Sequence, residues 1–421
     1  MAPDGEIEPA ADLPGCGPIR PVPDASNSAH SLALQVLERV RAEGLIARVD
    51  LAKSLDVSPA TITALVAGLI DRGLVVEKDR PVRQGQRGRP PTALALVPTA
   101  AYVIGLKLAE FRHSAVLMDF AGRVVAEAAL DRADPQRDLV LLTREISDLI
   151  ASLMRSAGLP IRAVRHVGVG LPGFIDAAAG KIAWSPLLPA EDLAFATHLE
   201  AHLDLPVAID NDANLLTLAE LWFGHGRRVA DFAVVTIEQG IGMGLAINHQ
   251  LYRGVRAFGM ELGHTKVQLD GALCRCGQRG CLEAYVSDYA LVREASTALD
   301  LSVRHRQSAQ VILDALHDQA KAGNEAARSI FRRAGRYMAL GLANVFNIFE
   351  PELIVVSGAR LRYDYLYADE VLSEMQSLIL KTGRGGPRIE INAWGEFGWA
   401  KGGAALALTA TTATLAQDAA A

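Results

Sequence analysis

Cysteine is scarce in this 421-residue chain, with four residues in all, too few for a disulfide scaffold. Long apolar runs are missing as well. The mean hydropathy of +0.18 prompts a search for a span of about 20 apolar residues. The longest uncharged stretch, 402–417, is shorter than that and carries four threonines, so no transmembrane segment is expected. The opening MAPDGEIEP is acidic and has no apolar h-region, which argues against a secretory signal and for a cytoplasmic protein. What is present is material for a large core. Hydrophobic residues make up 50% and charged residues 21%, which excludes wholesale disorder. The length fits two or three domains.

The net charge of -6 conceals an asymmetry. Residues 1–28 set Asp4, Glu6, Glu8, Asp12 and Asp24 against Arg20, whereas residues 29–98 hold ten Lys/Arg and seven Asp/Glu. Within 78–89 the balance is five bases to one acid, as a phosphate-facing patch requires, although short basic runs are commonly just solvated surface. A small basic module thus precedes a large, mildly acidic one.

Residues 1–28 are proline-rich, poor in large apolar groups, and read as a flexible tail. From near Ser31 to Gly44, Leu34, Leu37 and Val40 share a helical face, and a second short helix covers 50–55. A third helix has Ser58 as N-cap and Pro59 at its first position. Its buried stripe is Ile62, Leu65, Val66, Leu69 and Ile70, and Gly73 ends it. Two short strands, 74–77 and 92–97, flank a basic loop. Three helices and a basic hairpin describe a winged helix-turn-helix that binds double-stranded DNA; the alternative is an ordinary three-helix interaction domain. The candidate DNA contacts are Ser58, Ala60, Thr61 and Thr63 on the third helix and Arg83, Arg87 and Arg89 on the loop. The helix offers no Arg, Asn or Gln for bidentate base contacts, so the wing and DNA shape must contribute much of the specificity.

From about Thr99 the pattern becomes α/β. Strands are expected at 103–108 and 114–119, an amphipathic helix at 138–156, and further strands at 167–171 and 207–210. A second strand–turn–strand unit at 233–237 and 243–247 suggests an internal duplication, although residue identity between the halves is slight.

Three of the four cysteines fall within eight residues, in Cys274-Arg-Cys276-Gly-Gln-Arg-Gly-Cys281, with Glu261-Leu-Gly-His264 ahead and Glu283 just after. His264, Cys274, Cys276 and Cys281 make a complete tetrahedral N/S shell for Zn²⁺, closed and therefore structural. Cys16 stands apart. Asn211 and Asp212 follow a strand and precede a helix rich in Leu and Ala, at the carboxyl end of a strand where α/β proteins bind ligands; the other reading of Asp212 is a helix N-cap.

The segment 261–283 resembles the signature of the ROK family of repressors, open reading frames and sugar kinases. Gly170-Leu-Pro-Gly173 is similar to the family's sugar-side loop and Asp210-Asn-Asp-Ala-Asn214 to its catalytic segment. Gly240-Ile-Gly-Met-Gly244 resembles the second phosphate loop and Val356-Ser-Gly-Ala359 the adenosine-side strand. The resemblance implies a winged helix-turn-helix at 29–98 followed, over 99–421, by a two-lobed actin-like (ribonuclease H-like) sugar-kinase fold. It also implies a ligand set of Asn211, Asp212, Glu261, His264 and Glu283, Asp212 matching the general base of the kinases. His264 would hold zinc through one ring nitrogen and reach the sugar through the other.

The family's kinases carry Asp-x-Gly-Gly-Thr in the first hairpin, where this chain reads Lys107-Leu-Ala-Glu-Phe111; Glu238-Gln239 replace Gly-Thr in the second loop. Without glycine the backbone cannot approach phosphates closely, and Glu110 repels them. The expectation is therefore no enzymatic activity. The chain reads as a sugar-responsive transcriptional repressor, a homodimer or tetramer, released from its operator by a monosaccharide or sugar phosphate. The competing reading is an ATP-dependent sugar kinase with a DNA-binding extension.

Overall fold

The computed structural model describes residues 15–20, 32–79, 92–132, 138–189, 191–257, 259–299, 309–358, 369–381, 383 and 385–420. They form two compact units. The first runs to Ala230 and takes in 248–251 and 396–421; the second comprises 231–247 and 252–395.

The first unit opens with α1 (Leu32–Glu43), β1 (Ile46–Ala47), α2 (Arg48–Ser54) and α3 (Pro59–Asp71), then β2 (Val75–Asp79) and β3 (Thr92–Leu96). Ser58 caps α3 as expected, its Oγ accepting the Thr61 N–H at 3.1 Å. Ile62, Val66 and Leu69 are the buried stripe, with Leu65 and Ile70 half-buried. The wing is a three-stranded sheet of order β1-β3-β2; β1, only two residues long, is too short for periodicity to reveal.

The flexible tail expected for 1–28 is corrected at 15–20. Cys16 N–H donates to the Arg41 carbonyl at 3.1 Å, Gly17 N–H to Trp222 O at 2.8 Å and Ile19 N–H to Arg227 O at 2.7 Å. A segment with few large apolar groups is thus held by its backbone, which composition does not register.

Next come β4 (Tyr102–Lys107), β5 (Arg112–Asp119), β6 (Val124–Asp131), α4 (Leu139–Ala157) and β7 (Val164–Leu171). The hairpin β8 (Phe174–Asp176) and β9 (Lys181–Trp184) follows, then α5 (Phe195–Leu203), β10 (Val207–Asn211) and α6 (Asp212–Phe223). The main sheet has the order β10-β7-β4-β5-β6, with β4–β6 antiparallel and β7 and β10 parallel additions to β4. β6 had not been expected: its alternation is blurred by exposed Val124 and Val125.

The second unit holds β11 (Phe232–Ile237), β12 (Ile241–Ile247), α7 (Glu283–Val286), α8 (Asp288–Ala298), α9 (Ala309–Lys321) and α10 (Glu325–Phe349), then β14 (Leu353–Ser357), α11 (Asp369–Leu378) and β15 (Arg388–Asn392), while β13 (Gln250–Tyr252) starts within 248–251 and ends at the second unit's Tyr252. Its sheet order, β13-β12-β11-β14-β15, repeats the first sheet's path: three consecutive strands, then two parallel strands added beside the first. The duplication faint in residue identity is plain in topology.

The chain closes with α12 (Gly398–Ala420), which lies on β4, β7 and α6 and against α1. Its small residues permit this. A Cβ on Gly105 of β4 would strike the Ala400 carbonyl, so helix and sheet meet backbone to backbone. Among the described residues no single helix is long and apolar enough to cross a membrane.

Candidate functional site

On the first unit, Asn211 ends β10 and is the N-cap of α6, its Oδ1 accepting the Ala213 N–H at 2.8 Å. Its Nδ2 donates to the Gly173 carbonyl at 2.8 Å, tying α6 to the 170–173 loop. The cap role weighed for Asp212 thus falls on Asn211. Asp212 starts the helix half-buried, with Oδ1 accepting its neighbour's N–H at 2.9 Å. Beneath both, the buried Asp210 carboxylate accepts from Asn211 N–H at 2.8 Å and from the Asn214 amide at 2.7 Å. These bonds fix the start of α6 and with it the backbone at Asp212.

The loop from Lys107 to Phe111 has two backbone donors bonded inside the protein. Leu108 N–H donates to Gly170 O at 2.8 Å, and Ala109 N–H to the ring Nδ1 of buried His113 at 3.1 Å. His113 Nε2 faces Glu145 Oε2 at 3.3 Å, and Arg132 joins Glu145 at 3.0 Å while donating to the Glu110 carbonyl at 3.2 Å. Lys107 Nζ lies 3.4 Å from the centre of the Trp399 ring, a cation–π contact. Burial lowers the His113 pKa to about 4, so the ring is neutral and its Nδ1 can accept.

On the second unit, the sequence-predicted cluster comes together. The ligand atoms of His264, Cys274, Cys276 and Cys281 all lie within 4.8 Å of one another. Cys276 and Cys281 sulfurs are 3.7 Å apart, as are Cys274 Sγ and His264 Nδ1. That separation is far too long for a disulfide. A tetrahedral ion with metal–sulfur bonds of about 2.3 Å has sulfur–sulfur edges of about 3.8 Å, so the four groups can hold a metal. Cys274 and Cys281 are buried and Cys276 is exposed. The knuckle is folded by Cys274 N–H on Gln278 O and Gly277 N–H on Cys274 O, at 2.8 and 3.0 Å. At Gly280, φ is +76° and a Cβ would collide with the Gln268 carbonyl, so only glycine fits.

Around this shell sit groups that the sequence did not single out. Lys266 Nζ donates to Cys281 Sγ at 3.0 Å, and that bond raises the lysine's pKa. Tyr289 OH donates to Cys274 Sγ at 3.5 Å, with Arg275 stacked over its ring at 4.2 Å. No motif marks them; the antiparallel bridge of Lys266 with Cys281 is what brings the lysine in. The cluster also positions the candidate sugar ligands. His264 turns Nδ1 to Cys274 and Nε2 to Glu261 Oε2, 4.0 Å away. Glu283 places Oε1 3.9 Å from Cys274 Sγ and accepts the Ile241 N–H on Oε2 at 3.3 Å, beside Gly240.

The α3 candidates Ser58, Ala60, Thr61 and Thr63 are all exposed. The hydroxyls are already engaged: Thr61 with Ser58 at 2.8 Å, Thr63 donating to Pro59 O at 2.8 Å. Outward methyls are left. Arg83, Arg87 and Arg89 lie outside the described residues.

A family model described as ROK family matches residues 104–410. The chain belongs to the ROK family. The ROK match thus begins just beyond the wing and contains every candidate metal and sugar ligand. A xylose repressor from Caldicellulosiruptor bescii is 29% identical over 343 residues, covering 80% of this chain and 85% of the relative. The Escherichia coli DNA-binding transcriptional dual regulator NagC is 26% identical, covering 81% and 83%. Among solved structures, a ROK family transcriptional regulator homologous to the E. coli MLC protein has a TM-score of 0.77 at 25% identity, covering 92% of this chain and 97% of its own. A ROK family glucokinase from Streptomyces griseus, in complex with glucose and AMPPNP, has a TM-score of 0.62 at 25% identity and covers 73% of this chain but 99% of its own.

Proposed function

We propose that this ROK protein is a sugar-responsive, DNA-binding transcriptional repressor that does not phosphorylate its sugar. The observation that carries the reading is the winged helix joined to a ROK fold. Coverage of 92% by the regulator exceeds what 99–421 alone can supply, so that likeness extends into the DNA-binding module, whereas the glucokinase stops at 73%. The 107–111 loop supports the absence of kinase chemistry. Its Leu108 and Ala109 N–H groups are bonded inside the protein and so are not free for a ligand, and phosphoryl transfer depends on donors positioned on phosphate.

In this reading residues 29–98 bind a double-stranded operator, with α3 methyls against thymine methyls and Arg83, Arg87 and Arg89 of the wing on the minor groove. Residues 99–421 bind a monosaccharide or its phosphate through Asn211, Asp212, Glu261, His264 and Glu283. Asn211 positions the loop and Asp212 accepts a sugar hydroxyl. His264, Cys274, Cys276 and Cys281 would hold a structural Zn²⁺, which supplies no catalysis but fixes Glu261 and Glu283. A cytoplasmic homodimer or tetramer is the functional form, since one winged helix with so few base-reading groups lacks specificity.

Fluorescence anisotropy with the DNA upstream of its own gene, titrated against a panel of monosaccharides and sugar 6-phosphates, tests this. One sugar class should weaken the DNA complex, and sugar plus ATP should yield no phosphorylated product. ATP-dependent product formation would overturn the reading in favour of a kinase.

A further inference from the structure

At the junction of the winged helix with the first lobe lies a cavity of about 210 Å³, bordered by Cys16, Arg41, Lys78, Leu96, Gly122 and Arg123 among others. Three cations surround it, and among the described residues neither Lys78 nor Arg123 has an ion-pair partner. Arg41 is only 3% exposed. Its Nε donates to Phe120 O at 3.1 Å and its Nη2 to Thr412 Oγ1 at 2.8 Å, and its guanidinium lies over the Phe120 ring at 4.8 Å. All of these partners are neutral. The acids whose charge reaches Arg41 are Glu38 and Asp119. Glu38 is paired with Arg20 at 3.2 Å, and Asp119 accepts the Arg123 N–H at 3.0 Å while burial raises its pKa. The Cys16 thiol is pushed up to about 11 by burial, so it contributes no negative charge. A buried cation short of counter-charge is costly, and among the described residues the three cations here meet only two carboxylates, Glu38, already paired with Arg20, and Asp119, already engaged by a backbone N–H.

We propose that this cavity is a binding site for a small phosphate-class oxyanion, held by Arg41 from beneath and by Lys78 and Arg123 at the mouth. The site is distinct from the sugar ligands. Lys78 belongs to the wing, Arg41 to α1, and Arg123 to the β5–β6 turn of the lobe, so a bound anion ties the DNA-binding module to the lobe that carries it.

Thermal unfolding of the full-length, metal-loaded protein without sugar tests this, comparing inorganic phosphate with chloride at equal ionic strength. Lys78→Ala, Arg123→Ala and the double variant are run alongside; both side chains are exposed, so these variants fold. Phosphate should raise the Tm of the wild type by a few degrees through mass action, and the double variant should lose that rise. A parallel arm with glucose 6-phosphate separates free phosphate from a phosphate ester. A rise with the ester alone that the double variant abolishes assigns the site to esters, whereas a rise that survives in it belongs to the sugar ligands. No effect of either phosphate or the ester on the wild type, or an equal effect on the double variant, overturns the proposal. So does a double variant that loses DNA affinity while keeping its phosphate response, because the cations then face DNA. None of these failures touches the repressor reading, which rests on sugar and operator.

Discussion

His113 shows how one buried side chain can make a loop pH-sensitive. Its pKa falls from 6.5 to about 4 through burial, outweighing the bond to Glu145. The folded state therefore binds fewer protons than the unfolded chain between those values, and stability is lost as pH drops from about 6.5 toward 4. The scale is about 3 kcal/mol for a fully buried group. Tm should fall steeply over that range in the wild type and less steeply in His113→Gln; identical slopes would remove His113 as the responsible group. A second residue-scale prediction concerns the thiols. Cys281→Ser should lose bound zinc, measured as metal per chain, and lower the Tm, because metal affinity adds directly to folding free energy. Chelation of the wild type should reproduce both effects. The four candidate ligands were legible in the sequence because three thiols and a histidine at that spacing have few other uses. Lys266 and Tyr289 were not, since lysine and tyrosine acquire meaning only when a fold sets them against sulfur.

Among the elements, α3 was the most legible. Its cap, Pro59 and its apolar stripe are local signals, and the helix begins and ends where they place it. Ser58→Ala should cost about 1 kcal/mol of stability, seen as a lower midpoint in urea with an unchanged m-value. An unchanged midpoint would mean that solvent satisfies the Thr61 N–H equally well. β1 and β6 were hidden for opposite reasons, one too short for a pattern and the other exposed on one side. The apolar helix α12 was visible only as an uncharged stretch. Its place on β4, β7 and α6 follows from glycines and alanines that let backbones touch, a property of surfaces in three dimensions.

At the scale of the molecule, the winged helix is grouped with the first lobe rather than standing as an independent module. Arg41 reaches Phe120 and Thr412, Arg227 donates to Gly17 O at 3.1 Å and Ala42 O at 2.9 Å, and Arg72 bonds the Asp418 carbonyl near the end of α12. α12 thus runs from Trp399, beside the Lys107 loop, to the helices of the DNA-binding module. Arg41→Met leaves the Phe120 carbonyl without its donor and should destabilise by about 1–3 kcal/mol. Calorimetry should then resolve an early transition of the winged helix, and sugar should no longer alter operator affinity. A single transition and an intact sugar response would mean that the junction does not relay the signal.

Patterns set by near neighbours were determined by the sequence alone. These are the helix caps, the alternating strands and the thiol–histidine spacing, each expressing chemistry within a few residues. The tertiary structure decided what depends on distant segments meeting: the duplicated strand order, the backbone-held segment at 15–20, the bracing of 107–111 by His113, Arg132 and Glu145, and three cations around one cavity. Burial and charge pairing arise from groups far apart in the chain, and only the folded chain brings them within reach of one another.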